Sequence, residues 1–356
     1  MDITAPEMPF LFLPRNLTVF TRFVKRIDFI IMNRIKKAAV IGGDLRSIAA
    51  AERLREYGCE TRLFGFAAKS GASKGAVDSL CCSSCAANDG LPSYIEQIGG
   101  LLAPDLDTAL DGCDSVILPL PASNDKIHLT MPFSDTQLPL VELQRLMRWH
   151  NIELVCGGKL DKAFIESCES AGMTCFDYYE REEFAVANAV PTAEGAIAIA
   201  MNELAVTLDN SEILVVGFGR IGKMLSQKLS ALGAKVTVSA RRADDFAWIK
   251  ALGLEYTETG KLADYFKLHA PAVVFNTVPH RVFGKSELDV IRKGTLIIDL
   301  ASNPGGVDIQ AAGAAGHRVI WALSLPGKTA PLTAGRIIAD TVTGWLDSLP
   351  NEGGNV

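Results

Sequence analysis

The run Glu212-Ile213-Leu214-Val215-Val216-Gly217-Phe218-Gly219-Arg220-Ile221-Gly222 lies past the middle of a 356-residue chain, and it restricts the fold more than any other stretch. Its first half reads as a short buried strand. Gly217, Gly219 and Gly222 then fall at the three positions of a dinucleotide-binding turn. The first glycine permits the tight strand-to-helix turn, the second lets a pyrophosphate approach the backbone, and the third lets the helix pack closely on the strand. The predicted helix over 220–232 opens with unpaired N–H groups and the positive end of its dipole facing the phosphates. A second strand follows over 235–239. A bare glycine pattern is a weak signal, but strand, turn, helix and strand in this order predict nucleotide binding, with Phe218, Arg220 and Ile221 lining the turn beside the glycines.

The second strand ends Val238-Ser239-Ala240-Arg241-Arg242. A site that prefers NAD usually places Asp or Glu about 20 residues beyond the glycines, to bond the ribose 2′-hydroxyl. Ser239 is read as occupying that place, with Arg241 and Arg242 following. A serine hydroxyl and a guanidinium fork suit a 2′-phosphate, so NADP is the predicted cofactor. The competing reading is an exposed basic turn neutralised by Asp244 and Asp245.

A chain of this length suggests more than one domain, each large enough for its own core. The net charge of −6 argues against a general nucleic-acid binder. Eight cysteines in 356 residues do not form a secreted disulfide framework, so a reducing cytoplasm is expected. Cys81, Cys82 and Cys85 include one CxxC, but no second pair stands at zinc-site spacing, and no metal is predicted. Residues 1–31 are apolar in patches, yet basic residues and Pro14 interrupt them before the roughly 18 apolar residues that a bilayer span needs. That extension is expected to be poorly ordered or to precede the true start, and no membrane association is predicted.

Ala38-Ala39-Val40-Ile41-Gly42-Gly43-Asp44 is a second strand with a glycine turn, followed by a helix over 46–57 and a strand over 60–64. Position 47 is serine, so the fingerprint lacks its third glycine. Further strands are read at 115–118, 153–155 and 173–175, with a helix over 162–171 and a loop-like stretch over 69–89. Beyond the cofactor turn, strands begin near Ala272, Thr295 and Arg318. Alternating strands and helices imply open parallel sheets. The predicted fold is therefore α/β, with two Rossmann-like open parallel-sheet domains, long interdomain helices and a cleft between the halves. The expected organisation is an N-terminal extension (1–31), a substrate-side domain (32–190), an interdomain helix (191–208), an NADP-binding domain (209–325) and a C-terminal helix packing back on the first domain (326–356). Thr192 is the predicted N-cap of the interdomain helix. Its all-round apolar character places it between domains rather than on a surface.

Several runs together resemble the family of dipicolinate synthase A-subunits. They are Ile41-Gly42-Gly43-Asp44-Leu45-Arg46, Leu118-Pro119-Leu120-Pro121, Asn188-Ala189-Val190-Pro191-Thr192-Ala193-Glu194-Gly195, the glycine turn itself, Asp299-Leu300-Ala301-Ser302, and Pro326-Gly327-Lys328-Thr329-Ala330-Pro331. The resemblance extends over nearly all of the chain from about Met32. It implies NADP-dependent oxidation of a dihydro- or hydroxytetrahydro-dipicolinate to pyridine-2,6-dicarboxylate in the mother cell of a sporulating bacterium. It also implies a partner, the flavoprotein-like B-subunit of the synthase, with self-association left open. The rivals are another two-domain NADP dehydrogenase of the methylenetetrahydrofolate type, whose proline-glycine run Pro326 to Thr333 partly echoes, and a non-catalytic NADP-binding assembly subunit.

A dianionic substrate calls for cations near the nicotinamide. Arg46, Lys159 and Lys328 stand at apparent C-terminal strand ends, where open α/β sheets bind ligands. Thr192 and Thr329 are added as substrate-side hydroxyls, though Thr329 also suits a helix cap. Asn276, Thr277 and Val278 follow one strand of the cofactor half and Ala301 and Ser302 follow another, so these five are expected beside the nicotinamide ribose. His280 lies in the first of these loops and is the candidate general base. Glu194 is the alternative, unless it only compensates charge at its helix start, and Lys328 completes the candidate catalytic set.

Overall fold

A computed structural model describes residues 35–66 and 90–349. The extension 1–31, the predicted loop 69–89 with Cys81, Cys82 and Cys85, and the last seven residues lie outside the described residues.

In the first half, β1 (Lys37–Ile41), α1 (Leu45–Glu56), β2 (Glu60–Phe64), α2 (Gly90–Gln97) and β3 (Leu101–Leu102) are followed by α3 (Leu106–Leu110), β4 (Ser115–Ile117), α4 (Leu140–Trp149), β5 (Leu154–Gly157), α5 (Lys162–Ser170) and β6 (Thr174–Asp177). All pairings are parallel, and the strand order is β3-β2-β1-β4-β5-β6. A helix α6 (Glu182–Glu203) crosses to the second half. There β7 (Glu212–Val216), α7 (Arg220–Ala231), β8 (Lys235–Ala240), α8 (Ala243–Ala251), β9 (Glu255–Glu258), α9 (Leu262–Leu268) and β10 (Val273–Asn276) lead to α10 (Lys285–Leu288), β11 (Leu296–Asp299), α11 (Ile309–Ala315) and β12 (Arg318–Trp321). The second sheet is also wholly parallel, ordered β12-β11-β10-β7-β8-β9. Read from its other edge, this is the same doubly wound order as the first sheet. The chain is thus an α/β protein of two parallel six-stranded sheets, and each sheet has a switch point between its first and fourth strands, the usual place for a ligand crevice.

The central strands are buried on both faces, which explains their near-continuous apolar runs. Val40, Val116, Val155, Val215, Val273 and Ile297 are fully shielded. The edge strands β3 and β9 carry little of that signal; β9 is Glu-Tyr-Thr-Glu and mostly exposed.

The crossing helix departs from expectation. Thr192 is not an N-cap, because α6 begins ten residues earlier, at Glu182, and runs through Pro191. Proline has no N–H to donate, so the ladder loses a bond there. The Thr192 hydroxyl instead donates to the Asn188 carbonyl one turn back, at 2.7 Å. The boundary expected at 190/191 therefore falls inside a continuous helix, and Glu194 lies in mid-helix rather than at a helix start. Among the described residues, α6 is long and apolar enough to cross a membrane by length and composition, and half of that stretch is buried within the protein.

The chain then returns to the first half. A short helix, α12 (Leu325–Thr329), packs against α6, and α13 (Pro331–Ser348) then lies along α1 of the first half. Gly335 makes the second contact possible: a Cβ there would come within 2.3 Å of the Arg46 carbonyl oxygen and 2.6 Å of Ala49 Cβ. Arg53 of α1 joins the same seam, donating to Asp340 at 2.7 Å, while the Tyr57 hydroxyl donates to the same carboxylate oxygen at 2.8 Å. Burial and this bond push the Tyr57 hydroxyl up to about 12.

Candidate functional site

The turn at the end of β7 has the geometry that a dinucleotide needs. Gly217 sits at φ +100°, a left-handed conformation that favours glycine, and a Cβ there would lie 2.4 Å from Thr277 Oγ1. At Gly222 a Cβ would lie 2.1 Å from the Gly217 carbonyl oxygen, so α7 approaches the strand as closely as a backbone allows. At Gly219 a Cβ would meet nothing within 4 Å. The middle glycine therefore faces open space at the N-terminus of α7, where a phosphate would approach. These three positions fit a pyrophosphate.

The loops beside the turn are held by a buried network. Asn276 Nδ2 donates to Asp299 Oδ1 at 2.8 Å and to the Val278 carbonyl at 3.1 Å. Asp299 also accepts from the N–H groups of Ala301 at 3.0 Å and Gly306 at 2.8 Å. Thr277 Oγ1 donates to the Val216 carbonyl at 3.0 Å, tying β10 to the glycine turn. Asn276, Thr277 and Asp299 thus shape the site by holding backbone, while Ser302 is exposed beside them. Asp299 joins both loops.

Two of the sequence assignments shift at the 2′-end of the site. Ser239 is fully buried, and its hydroxyl pairs with Thr259 Oγ1 at 2.8 Å. It is therefore turned into the protein, and the last residue of β8 is Ala240. Arg242 is bound by Asp244 and Asp245, at 3.3 and 3.0 Å, as the basic-turn reading anticipated. Arg241 is exposed and forms no ion pair among the described residues. Arg220, at the first turn of α7, is held bidentately by Glu182 of α6, with Nε 2.9 Å from Oε1.

The first half has a corresponding turn, but it is closed by its own chain. Gly42 and Gly43 both have positive φ, and the Gly43 N–H donates to the Thr130 carbonyl at 2.8 Å. A Cβ on Gly42 would collide with Met131, Thr130 and Leu129. Residues 129–131 thus fill the space that a phosphate would need, and the first half has no open dinucleotide turn at Gly42.

What the first half offers instead is a cleft of about 360 Å³ built from the loops after β4, β5 and β6. Leu140, Leu160 and Phe164 supply apolar surface, and Ser123, Asn124, Lys126, Lys159 and Tyr179 supply polar groups. Lys126 is paired with Asp161 at 2.8 Å. The Lys159 ammonium lies 4.7 Å from the centre of the Tyr179 ring and has no carboxylate partner among the described residues. Lys159 itself is at φ +55°, a conformation costly for a residue with a side chain. Asp177 stabilises it by accepting the N–H groups of Lys159, Leu160 and Tyr179 at 3.1, 2.7 and 2.9 Å. Burial raises the Asp177 carboxyl above its ordinary range against the pull of those three bonds.

The remaining predicted residues are placed differently. Arg46 is engaged: it grips Asp44 through Nε and Nη2, and Nη2 also donates to the Leu120 carbonyl at 2.5 Å. It packs beside Gly327, so it joins α1 to α12 rather than standing free. Thr329 is exposed, and its Oγ1 donates to the Leu325 carbonyl one turn back rather than capping a helix. Lys328 and His280 are exposed. Glu194 accepts an ion pair from Lys228 of α7 at 2.8 Å, a contact between helices in place of the expected charge compensation at a helix start. Reading along the chain missed Ser123, Asn124, Lys126 and Tyr179, because only the sheet order brings their three loops together.

Comparison with known proteins accounts for both halves. Residues 90–179 match the N-terminal domain model of the dipicolinate synthase A-subunit, and residues 189–308 match the NAD-binding domain of D-isomer-specific 2-hydroxyacid dehydrogenases. The dipicolinate synthase A-subunit of Bacillus subtilis (strain 168) is 31% identical over 319 residues, covering 89% of this chain and 98% of that protein. The chain belongs to the family of dipicolinate synthase A-subunits. The crystal structure of the Bacillus halodurans member superposes with a TM-score of 0.71 at 29% identity, covering 88% of this chain and 98% of that one. The Bacillus subtilis structure gives 0.70 at 28%, covering 88% and 96%. Within this family, then, the second half is a dehydrogenase-type nicotinamide dinucleotide domain.

Proposed function

We propose that this chain is the NADP-dependent dehydrogenating subunit of a two-subunit dipicolinate synthase, working in the cytoplasm on a dihydro-dipicolinate, or on its hydroxytetrahydro form after loss of water. The observation that carries the reading is the open glycine turn at Gly217, on the switch point of the second sheet, in a chain of this family. The reaction removes two hydrogens: one leaves as hydride, one as a proton, and the ring becomes aromatic. When bound, the oxidised nicotinamide supplies the hydride acceptor. The chain's own residues hold and orient. The N–H groups at Gly219 to Ile221 receive the pyrophosphate, and the network of Asn276 and Asp299 fixes the loops that flank the ring.

The preference for NADP rests on the end of β8. The strand itself ends on Ser239 and Ala240 rather than on a carboxylate that would bond a ribose 2′-hydroxyl, and Arg241 extends beyond it without an ion-pair partner among the described residues. Arg241→Asp is expected to weaken NADPH about 10- to 100-fold, the loss of one charge-assisted bond, and to leave NADH nearly unchanged. Fluorescence titration with both dinucleotides reads this; equal losses for the two would count against the assignment.

Lys159 is the substrate's carboxylate anchor in this reading, since it is the cleft's cation without a carboxylate partner among the described residues and the Tyr179 ring holds it in place. Lys159→Ala, assayed with the second subunit present, is expected to raise KM for the dicarboxylate roughly 10-fold or more. A KM unchanged from wild type would remove Lys159 and its cleft from substrate binding.

A further inference from the structure

Five of the described residues other than glycine have positive φ: Lys126, Asn151, Lys159, Asn210 and Ser324. Asparagine tolerates that conformation, whereas lysine adopts it only at a cost. Both lysines line the same cleft of about 360 Å³ in the first half. Each is held there by a carboxylate that accepts neighbouring N–H groups. Asp177 does this for Lys159, as described above. Asp125 does it for Lys126, accepting the N–H groups of Ile127 and His128 at 2.8 Å each. Strain that the surroundings over-determine in this way gathers at functional sites. Two separate loops, after β4 and after β5, thus fix one lysine each on one cavity.

The two ammonium groups have donors to spare. Lys126 Nζ donates to Asp161 Oδ2 at 2.8 Å, yet its side chain is 77% exposed. An ammonium has three donors, so Asp161 orients this one and leaves two for a ligand. Asp161 is itself fixed, because its Oδ1 accepts the Ala163 N–H at 3.1 Å. Of the cleft's other carboxylates, Asp177 is occupied by its three backbone bonds, and Glu180 is exposed to solvent. Leu140, Leu160 and Phe164 give a flat ring apolar surface to pack on. A cavity near 150 Å³ holds benzene, so this one has room for a ring that carries two carboxylates. The cleft wall at Tyr179 and Glu180 continues directly to Glu182, which grips Arg220 of the cofactor turn.

We propose that Lys126 is a second carboxylate anchor, which together with Lys159 makes the cleft selective for a dicarboxylate over a monocarboxylate. The proposal deepens the reading of Lys159 as the substrate's anchor and rests on it. A ligand with one carboxylate engages one ammonium, whereas a ligand with two engages both. Asp161 acts through Lys126 and is a positioning residue.

The test is calorimetry on the purified full-length chain with the second subunit and saturating NADPH. Pyridine-2,6-dicarboxylate and pyridine-2-carboxylate are titrated separately. The wild type is expected to prefer the dicarboxylate by about 10-fold or more, the worth of one charge-assisted bond. Lys126→Met keeps the stem and removes the charge, and it is expected to bring that ratio near one by weakening the dicarboxylate alone. Lys126→Arg is expected to restore most of the preference. Melting temperatures of both variants are expected to stay at the wild-type value, because the side chain is exposed. A wild-type ratio kept by Lys126→Met overturns the second anchor and leaves the Lys159 reading standing. Equal losses for both acids also overturn it, since they mark a general attraction rather than a partner for one carboxylate. A wild-type complex that binds neither acid overturns the dicarboxylate reading of the cleft, and the proposal with it.

Discussion

Gly222→Val is expected to abolish dinucleotide binding while leaving both sheets folded. The added Cβ would lie 2.1 Å from the Gly217 carbonyl oxygen, and that neighbour is backbone, which has no rotamer to move. Relief requires α7 to lift from β7. The N–H groups at its first turn then point away from the pyrophosphate position. Losing two charge-assisted bonds at about 1.5–3 kcal/mol each corresponds to an affinity loss of roughly 100-fold or more. The lesion is local, because Ile213, Val215, Val273 and Phe275 keep their burial in the sheet. Tryptophan-to-NADPH energy transfer, with circular dichroism as the control for folding, separates loss of the site from loss of the protein. A variant that binds NADPH within a few-fold of wild type would show that the third glycine does not set the helix position.

Gly335→Val is expected to be the most destabilising single substitution at the seam between the returning helix and the first half. The valine Cβ would meet the Arg46 carbonyl oxygen at 2.3 Å, Ala49 Cβ at 2.6 Å and the Ala50 nitrogen at 3.0 Å. All three belong to α1, so α13 must separate from α1 along its length, uncovering Ile338, Ala339 and Val342 and breaking the Arg53–Asp340 contact. Overpacking of this kind costs about 3 kcal/mol, which lowers the melting temperature by roughly 4 °C in a protein of this size. Because the carbonyl involved is that of Arg46, the same shift disturbs Asp44 and Leu120 at the first switch point. Gly335→Ala adds the same Cβ without the two methyl groups, so a smaller fall in the same direction is expected. Equal melting temperatures for wild type and Gly335→Val would contradict the close helix contact.

What the sequence made legible follows from where its physical signals are local. The strands around Val40, Val215 and Ile297 are covered on both faces and therefore read as apolar runs, and the glycine turn is a contiguous motif whose three glycines each have a separate steric cause. The start of α6 was not legible, because Pro191 followed by threonine has the form of a helix beginning. Only packing against α7, α12 and α13 carries the helix through it. Ser239 was misplaced by one residue of strand register, a step that decides between facing inward and standing at the strand end. The closure of the Gly42 turn could not be read either, since Met131 stands 89 positions away and nothing local marks the contact. The cleft around Lys159 has the same cause: three loops far apart in sequence become one surface only through the order of β4, β5 and β6.

In the proposed function, this chain oxidises a dicarboxylate precursor through the dinucleotide site at Gly217. Purified chain, the second subunit, freshly prepared dihydrodipicolinate and NADP+ are mixed, and the absorbance of dipicolinate and of NADPH is followed together. The two bands are expected to rise in a one-to-one ratio with the wild-type chain and to stay flat with Gly222→Val. Dipicolinate forming without NADPH, or at the wild-type rate with the Gly222 variant, would place the oxidation elsewhere and contradict the account.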